Sequence, residues 1–228
     1  MPSLKIITTS DGSHSLWNEE LNETYHSVHG AMQESAHVFI KNGLDYYIER
    51  VSPERISILE VGFGTGLNAL LTLHRLLHTL IPITYTSLEA FPLGEEVWSE
   101  LNYGQLAGMK EHFTTLHRSL WEKEQQILPH FQLLKLHTTV QRVELPLKSF
   151  DLVYFDAFAP NKQPELWAYP VLGKIMDAMK MEGVFVTYCA KGQLKRDLKT
   201  LGLTTETLPG PPGKKEMVRA IKAAPTAD

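Results

Sequence analysis

A short apolar run, Ile56–Gly62, enters the glycine turn Gly62-Phe63-Gly64-Thr65-Gly66, and a helical pattern starts at once with Leu67. Bare backbone at such a turn lets a ligand come close and lets the following helix N-terminus face its polar groups. A strand, a glycine turn and a helix in direct succession form the opening unit of an α/β sheet. The rhythm then continues. Leu67–Leu80 reads as a helix, Ile83–Glu89 as a strand and Pro92–Leu101 as a helix. Phe131–Thr138 alternates with period two, and Phe150–Phe155 is a compact apolar run. Val171–Lys180 has helical spacing, Gly183–Cys189 has the composition of a buried strand, and Lys191–Leu201 is a helix stopped by Gly202. Repeated units of this kind predict a mainly parallel sheet covered on both faces. The chain's end breaks the pattern. Thr204–Leu208 and Glu216–Ile221 are joined only by a turn around residues 209–213, too short for a parallel crossover, so they predict an antiparallel hairpin.

Residues 1–55 precede this core and hold an irregular polar stretch over Thr8–Gly30 and a helix around Met32–Val51. They read as a cap or lid packed on the 56–228 core, in a single domain overall. Composition narrows the class: 43% hydrophobic and 21% charged residues are ordinary for a globular chain. The single cysteine, Cys189, excludes an internal disulfide and a multi-cysteine metal cluster. No apolar run approaches the ~18 residues of a membrane span, and Met-Pro-Ser-Leu-Lys lacks the layout of a signal peptide. A cytoplasmic protein is expected. The ten histidines form no His-Glu-x-x-His pattern, so no metal is expected. Charge is uneven: the chain is −4 overall, yet Lys191–Lys222 holds eight Lys/Arg against three Asp/Glu. Such a basic segment suits a polyanion or is simply a solvated face.

The glycine spacing discriminates between ligands. Dinucleotide folds use G-x-G-x-x-G to seat a pyrophosphate on the helix dipole. Here the spacing is G-x-G-x-G, and Glu60 lies two residues before the first glycine. A carboxylate there would repel a pyrophosphate but suit the sulfonium and ammonium of S-adenosylmethionine. Glu89 ends the second core strand, where open α/β sheets place an acid against both ribose hydroxyls. The expected cofactor-binding set is Glu60, Gly62, Phe63, Gly64, Gly66, Asn68 and Glu89. With the terminal hairpin, these features predict a Rossmann-like S-adenosylmethionine-dependent methyltransferase fold, although mixed sheets are common enough that the hairpin alone does not decide.

The run Val153-Tyr154-Phe155-Asp156-Ala157-Phe158-Ala159-Pro160 carries the second constellation. An acid at the carboxyl end of a buried strand faces the crevice where such sheets bind ligands. Asp156 is the expected catalytic residue, the alternative being a cap of the following turn. Phe158, Pro160 and Trp167 are expected at the substrate, with Phe158 stacking on a base; packing is the competing reading for Phe158 and Trp167. Cys189 reads as an inert core thiol.

Glu60–Asn68, Ser87–Leu93, Asp156–Trp167 and Gly213–Met217, in this order, resemble the methyltransferase domain of the tRNA wobble-uridine modification enzyme MnmC, and its stand-alone form MnmD. Asp11-Gly12, Tyr25-His26-Ser27, Gly30-Ala31 and Glu34-Ser35 fit the same family, so the resemblance covers about residues 8–222. It implies methyl transfer from S-adenosylmethionine to the aminomethyl nitrogen of 5-aminomethyl-2-thiouridine in tRNA, with Asp156 in the active centre. It implies tRNA as partner, and the basic C-terminal segment then offers Lys191, Lys195, Arg196, Lys214, Lys215 and Arg219 as candidate phosphate contacts, with Lys214 and Lys215 expected on the substrate side. Bifunctional relatives carry a flavin-dependent oxidase domain, which this chain ends too early to include, so other enzymes are expected to make the amine. No acid follows the third strand until Glu144, so no residue is assigned to adenine. Asp156, with an ordinary carboxylate pKa near 4, would be a poor base for an ammonium near 10. The expected role is therefore orientation of the amine and stabilisation of developing charge. Two other readings stay open: a non-catalytic tRNA-binding protein with a nucleoside pocket, and an NAD-dependent oxidoreductase.

Overall fold

The computed structural model describes residues 3–223, so the outermost ends of the 1–55 and 56–228 segments lie outside the described residues. A small antiparallel sheet opens the chain, with β1 (Leu4–Thr8), β2 (His14–Asn18) and β3 (Glu23–Thr24) in that order. This corrects the irregular stretch expected over Thr8–Gly30. The segment is largely polar because, beside the fully buried Leu16, it buries the polar side chains of Thr9, Ser13 and Ser15, which bond within the segment. Thr9 Oγ1 donates to Asp11 Oδ1 at 2.7 Å, and the Ser13 N–H donates to the same oxygen at 3.0 Å. A helical stretch follows, made of α1 (Ala31–Ser35), a π-helical segment (Ala36–Asp45) and α2 (Tyr46–Val51), which matches the expected helix.

The main sheet contains β4 (Ile56–Val61), β5 (Ile83–Glu89), β6 (Glu124–Leu128), β7 (Phe131–His137), β8 (Phe150–Phe155), β9 (Met179–Thr187), β10 (Leu203–Pro209) and β11 (Glu216–Lys222). Their order is β10-β11-β9-β8-β4-β5-β7-β6. The five central strands β9, β8, β4, β5 and β7 run parallel, and β11 runs antiparallel to both β9 and β10. The expected hairpin is therefore present. At the other edge β6 pairs antiparallel with β7, an unexpected strand whose Glu124-Gln125-Gln126 start shows no apolar alternation.

Both faces are covered by helices, as a parallel sheet requires. The period-two alternation of β4 sends Ile56 and Ile58 to a cluster with Leu67, Leu70, Leu73 and Val38, under α3 (Leu67–Leu76) and the N-terminal helical stretch. Leu59 and Val61 enter the opposite cluster with Leu172, Ile175 and Leu198, from α7 (Tyr169–Ala178) and α8 (Gly192–Thr200). Several boundaries shift from expectation. α3 ends at Leu76 rather than Leu80, and β9 begins at Met179, ahead of Gly183. The helix expected over Pro92–Leu101 is the single turn α4 (Glu95–Trp98), and α5 (Tyr103–Leu106) and α6 (Lys110–Arg118) were not expected. Among the described residues no helix is long and apolar enough to cross a membrane.

From β4 the chain moves through β5 to β7 on one side, and from β8 through β9 on the other. The strand order thus reverses between β4 and β8, and the glycine turn and Asp156 leave the carboxyl ends of these two strands. That is the position at which open α/β sheets bind ligands.

Candidate active site

The glycine turn is built so that its backbone lies bare. Gly62, Gly64 and Gly66 have φ of +96°, +49° and +72°. A Cβ at Gly62 would lie 2.6 Å from the Asp156 carbonyl oxygen, and one at Gly66 would lie 2.7 Å from His117 Nε2. Gly62 is therefore where the ends of β4 and β8 come into backbone contact. Behind the turn, His117 Nε2 donates to the Thr65 carbonyl at 3.1 Å, and Phe63 meets the His117 ring edge-on. Burial holds His117 neutral, lowering its pKa to about 3. Buried Lys135 in turn donates to the Leu116 and His117 carbonyls, both at 2.8 Å, which ties the end of α6 to the sheet. Burial lowers the Lys135 pKa to about 8.

A cleft of about 760 Å³ runs along this end of the sheet. Gly62, Phe63, Gly64, Asn68, Glu89, Asp156 and Phe158 from the sequence-expected set all line it. Glu89 Oε2 accepts the Gly64 N–H at 2.8 Å and Oε1 accepts the Phe91 N–H at 2.8 Å. Each oxygen keeps a lone pair, so the carboxylate can still accept from a vicinal diol. Its pKa is raised by burial. Leu88, Ala90, Phe91 and Val140 supply an apolar wall, and Phe91 is 68% exposed. Thr138–Arg142 also line the cleft, which places the segment after β7 at the site although it holds no acid.

Asp156 and Asn68 meet directly: Asn68 Nδ2 donates to Asp156 Oδ2 at 2.8 Å. Burial, with the Glu34 carboxylate nearby, pushes the Asp156 pKa up to about 7, against the partial offset of Asn68 and Lys214. This corrects the ordinary value near 4 expected from sequence. Tyr188 lines the cleft beside Asp156 and donates to the Ala157 carbonyl at 2.8 Å.

The other expected residues sit elsewhere. Glu60 is fully buried and does not line the cleft; period two turns it beneath α3, where Ser87 Oγ donates to its Oε2 at 2.6 Å. Gly66 is also absent from the lining. Trp167 is a core residue, edge-on to Phe155, and its Nε1 donates to the Phe158 carbonyl at 2.8 Å. It shapes the Asp156 loop from behind, which corrects its expected place at the substrate. Pro160 does not line the cleft either. Lys214 pairs with the buried Glu34 and lies 3.7 Å over the Tyr188 ring, whereas Lys215 is exposed. Lys195 and Arg219 are engaged with Glu216 and Glu206. Lys191 and Arg196 are exposed and have no ion-pair partner among the described residues.

The N-terminal segment closes one wall. His26 Nε2 bonds Thr65 Oγ1 at 2.7 Å, and the Tyr25 ring meets Phe158 edge-on at 5.0 Å. Lys162 Nζ, from the Asp156 loop, donates to the Leu21 and Asn22 carbonyls. Of these contacts the Tyr25-His26 motif was visible through the family resemblance alone. Tyr188 was missed, though its place just after β9 was a usable signal.

A glycine turn at a strand reversal, an acid at the end of the next strand and an apolar wall fit a nucleoside carrying a polar tail. Together with the antiparallel β10–β11 edge, they define an S-adenosylmethionine-dependent methyltransferase. A family profile described as S-adenosyl-L-methionine-dependent methyltransferase matches residues 106–223, and the chain belongs to that family. It is 30% identical over 216 residues to the tRNA 5-methylaminomethyl-2-thiouridine biosynthesis bifunctional protein MnmC of Leptospira borgpetersenii, spanning 88% of this chain and 32% of that protein. The corresponding protein of Methylobacillus flagellatus is 25% identical over 219 residues, with coverages of 89% and 33%. The chain thus spans about a third of the length of these curated relatives. The crystal structure of MnmC2 from Aquifex aeolicus matches 99% of this chain and 72% of that one, with a TM-score of 0.81 and 26% identity. The resemblance read from the separated motifs is borne out.

Proposed function

We propose that this methyltransferase transfers a methyl group to the aminomethyl nitrogen of 5-aminomethyl-2-thiouridine at the tRNA wobble position, a cytoplasmic reaction. The MnmC relatives support tRNA as the acceptor. The observation that carries the chemistry is Asp156: a half-buried carboxyl with pKa about 7, in the same cleft as the glycine turn and Glu89.

S-adenosylmethionine, when bound, supplies a methyl group activated on a sulfonium. Glu89 would accept from its ribose hydroxyls, the wall of Leu88, Ala90, Phe91 and Val140 would face its base, and the backbone of Gly62–Gly66 would lie against its polar tail. Asp156 does the work on the acceptor side. A primary alkylammonium has a pKa near 10.4 and cannot attack until it loses a proton. Passing that proton to an ordinary carboxylate is uphill by roughly 6 pK units, about 9 kcal/mol. With Asp156 at about 7, the gap shrinks to roughly 3 units, about 4–5 kcal/mol. Asp156 is therefore the acceptor of the ammonium proton. Once that proton has passed on to solvent, the restored carboxylate is the negative charge that steadies the nitrogen as its bond to carbon forms and the electron pair of the breaking bond stays with sulfur. This goes beyond the orienting role expected from sequence.

Phe158, with Tyr25 against its edge, forms the base-stacking surface, and the exposed cations Lys191, Arg196 and Lys215 contact phosphates. The test is methyl transfer to tRNA isolated from cells lacking the wobble methylation, followed by nucleoside analysis. Conversion of 5-aminomethyl-2-thiouridine to its methylaminomethyl form is expected. Methylation of another nucleoside, or none, overturns the reading.

A further inference from the structure

The face of the sheet beneath α3 holds a polar cluster in otherwise apolar packing. Glu60 on β4 is fully buried, and its neighbours in register are Ser87 on β5 and Tyr154 on β8. Ser87 satisfies Oε2; the Asn68 amide and the Tyr85 hydroxyl also lie toward Glu60, yet among the described residues neither completes a well-formed hydrogen bond to Oε1. Two more buried polar atoms of the same cluster also lack one: Asn68 Oδ1, on α3, and the Tyr85 hydroxyl, on β5. An ionised carboxylate with an unpaired oxygen, out of reach of solvent, is among the costliest arrangements in a protein interior. A proton on Glu60 removes that cost and turns one unsatisfied acceptor into a donor.

Among the described residues no cation offsets a charge on Glu60. The groups facing it are Ser87 and Tyr85 from β5, Tyr154 from β8 and Asp156 just after it, and Asn68 from α3. The one charged neighbour among these is Asp156, of like sign, joined through the Asn68 amide. Asp156 is itself faced by Glu34 from α1, Lys214 from the β10–β11 turn and Tyr188 after β9. Burial raises Glu60 to about 8, in the same direction as the geometry.

We propose that Glu60 is protonated in the free protein and gives up this proton when S-adenosylmethionine binds, so that cofactor affinity is coupled to pH through a residue outside the cleft wall. The cation of the cofactor supplies what the cluster lacks, a positive charge near Glu60, and the carboxyl then ionises to a carboxylate with its proton leaving to solvent. Asn68 joins the two places, since it lines the cleft on one side and belongs to the Glu60 cluster on the other. Glu60 acts here as a positioning and charge-storing residue. The inference rests on the cofactor and not on the tRNA reading, so it survives if the acceptor is another molecule.

The experiment is calorimetric titration of the protein with S-adenosylmethionine at pH 7 in buffers of different ionisation enthalpy, which counts protons released per cofactor. Glu60→Gln keeps the shape of the neutral acid and serves as the reference, cancelling any proton from the ligand's own amine. Wild type should release about half a proton or more beyond Glu60→Gln, and its affinity should rise with pH below 8, approaching tenfold per unit for one proton. The excess should shrink with S-adenosylhomocysteine, which lacks the sulfonium charge. An infrared difference spectrum should show loss of a protonated carboxyl band on cofactor addition, absent in Glu60→Gln. Equal proton release by wild type and Glu60→Gln, or an excess abolished only by Asp156→Asn, overturns the proposal.

Discussion

Asp156→Asn isolates the charge on the acceptor side, because it keeps the shape and one acceptor while removing the group that titrates. With the carboxyl raised to about 7 by burial and by Glu34, roughly half the free protein is competent at pH 7, about a tenth at pH 6 and about nine-tenths at pH 8. The sign follows: kcat/KM for the acceptor rises with pH through about 7 as Asp156 ionises, and rises again where the amine itself loses its proton. In Asp156→Asn the first rise should vanish and the second should stay. Single-turnover methyl transfer at saturating cofactor should slow by about 10²–10³, as when one electrostatic stabiliser is removed from a preorganised site. Glu34→Gln is the companion test. Glu34 is the like charge that helps hold Asp156 up, and Lys214, which opposes it, would remain. The inflection should therefore move to lower pH and the rate at pH 6 should gain relative to the plateau. Near-wild-type turnover in Asp156→Asn, or a first inflection unmoved in both variants, would falsify the role and leave Asp156 as a cap of its loop.

Glu89→Ala should weaken S-adenosylmethionine binding by about 2–4 kcal/mol by calorimetry, since two hydrogen bonds to a charged group are lost and the Gly64 and Phe91 N–H groups are released; unchanged affinity would remove Glu89 from the cofactor site. Gly62→Ala should destabilise the fold by about 2–5 kcal/mol in urea unfolding, combining a left-handed backbone cost with overpacking, because the added carbon would stand 2.6 Å from the Asp156 carbonyl, which cannot swing away. A wild-type denaturation midpoint would show that β4 and β8 are not in contact there. Replacing Lys191, Arg196 and Lys215 together by Ala should raise the KM for tRNA and flatten its salt dependence by about 0.7–0.9 in log–log slope per lost phosphate contact, with cofactor affinity unchanged; an unaltered slope would make these residues a solvated surface.

Sequence legibility follows a physical line between what is encoded by pattern and what is encoded by meeting. β5 and β8 emerge with the expected bounds because both are central strands buried along most of their length: β8 is apolar but for Asp151, and β5 is marked by the β-branched and aromatic residues Ile83, Thr84, Tyr85 and Thr86. β1–β3 and β6 do not, because edge and hairpin strands satisfy themselves through polar side chains and backbone bonds, as Thr9, Asp11 and Ser13 do. The glycine turn, Glu89 and Asp156 were readable from their places at strand ends, where the fold decides which residues face the crevice. Trp167 was misplaced for the opposite reason: an aromatic beside an active-site loop has the same sequence context whether it faces the ligand or holds the loop's carbonyl from behind. Glu60 shows the distinction most sharply. Its distance from the first glycine says that it belongs to the loop, but only the alternation of β4 says on which side of the sheet it lies. Ile56 and Ile58 fix that side as the α3 face, so an acid two residues further on must be buried beneath the helix rather than presented to the cleft. The same carboxyl that sequence reads as a ligand contact becomes, once its face is known, a buried acid whose charge state depends on what occupies the cleft.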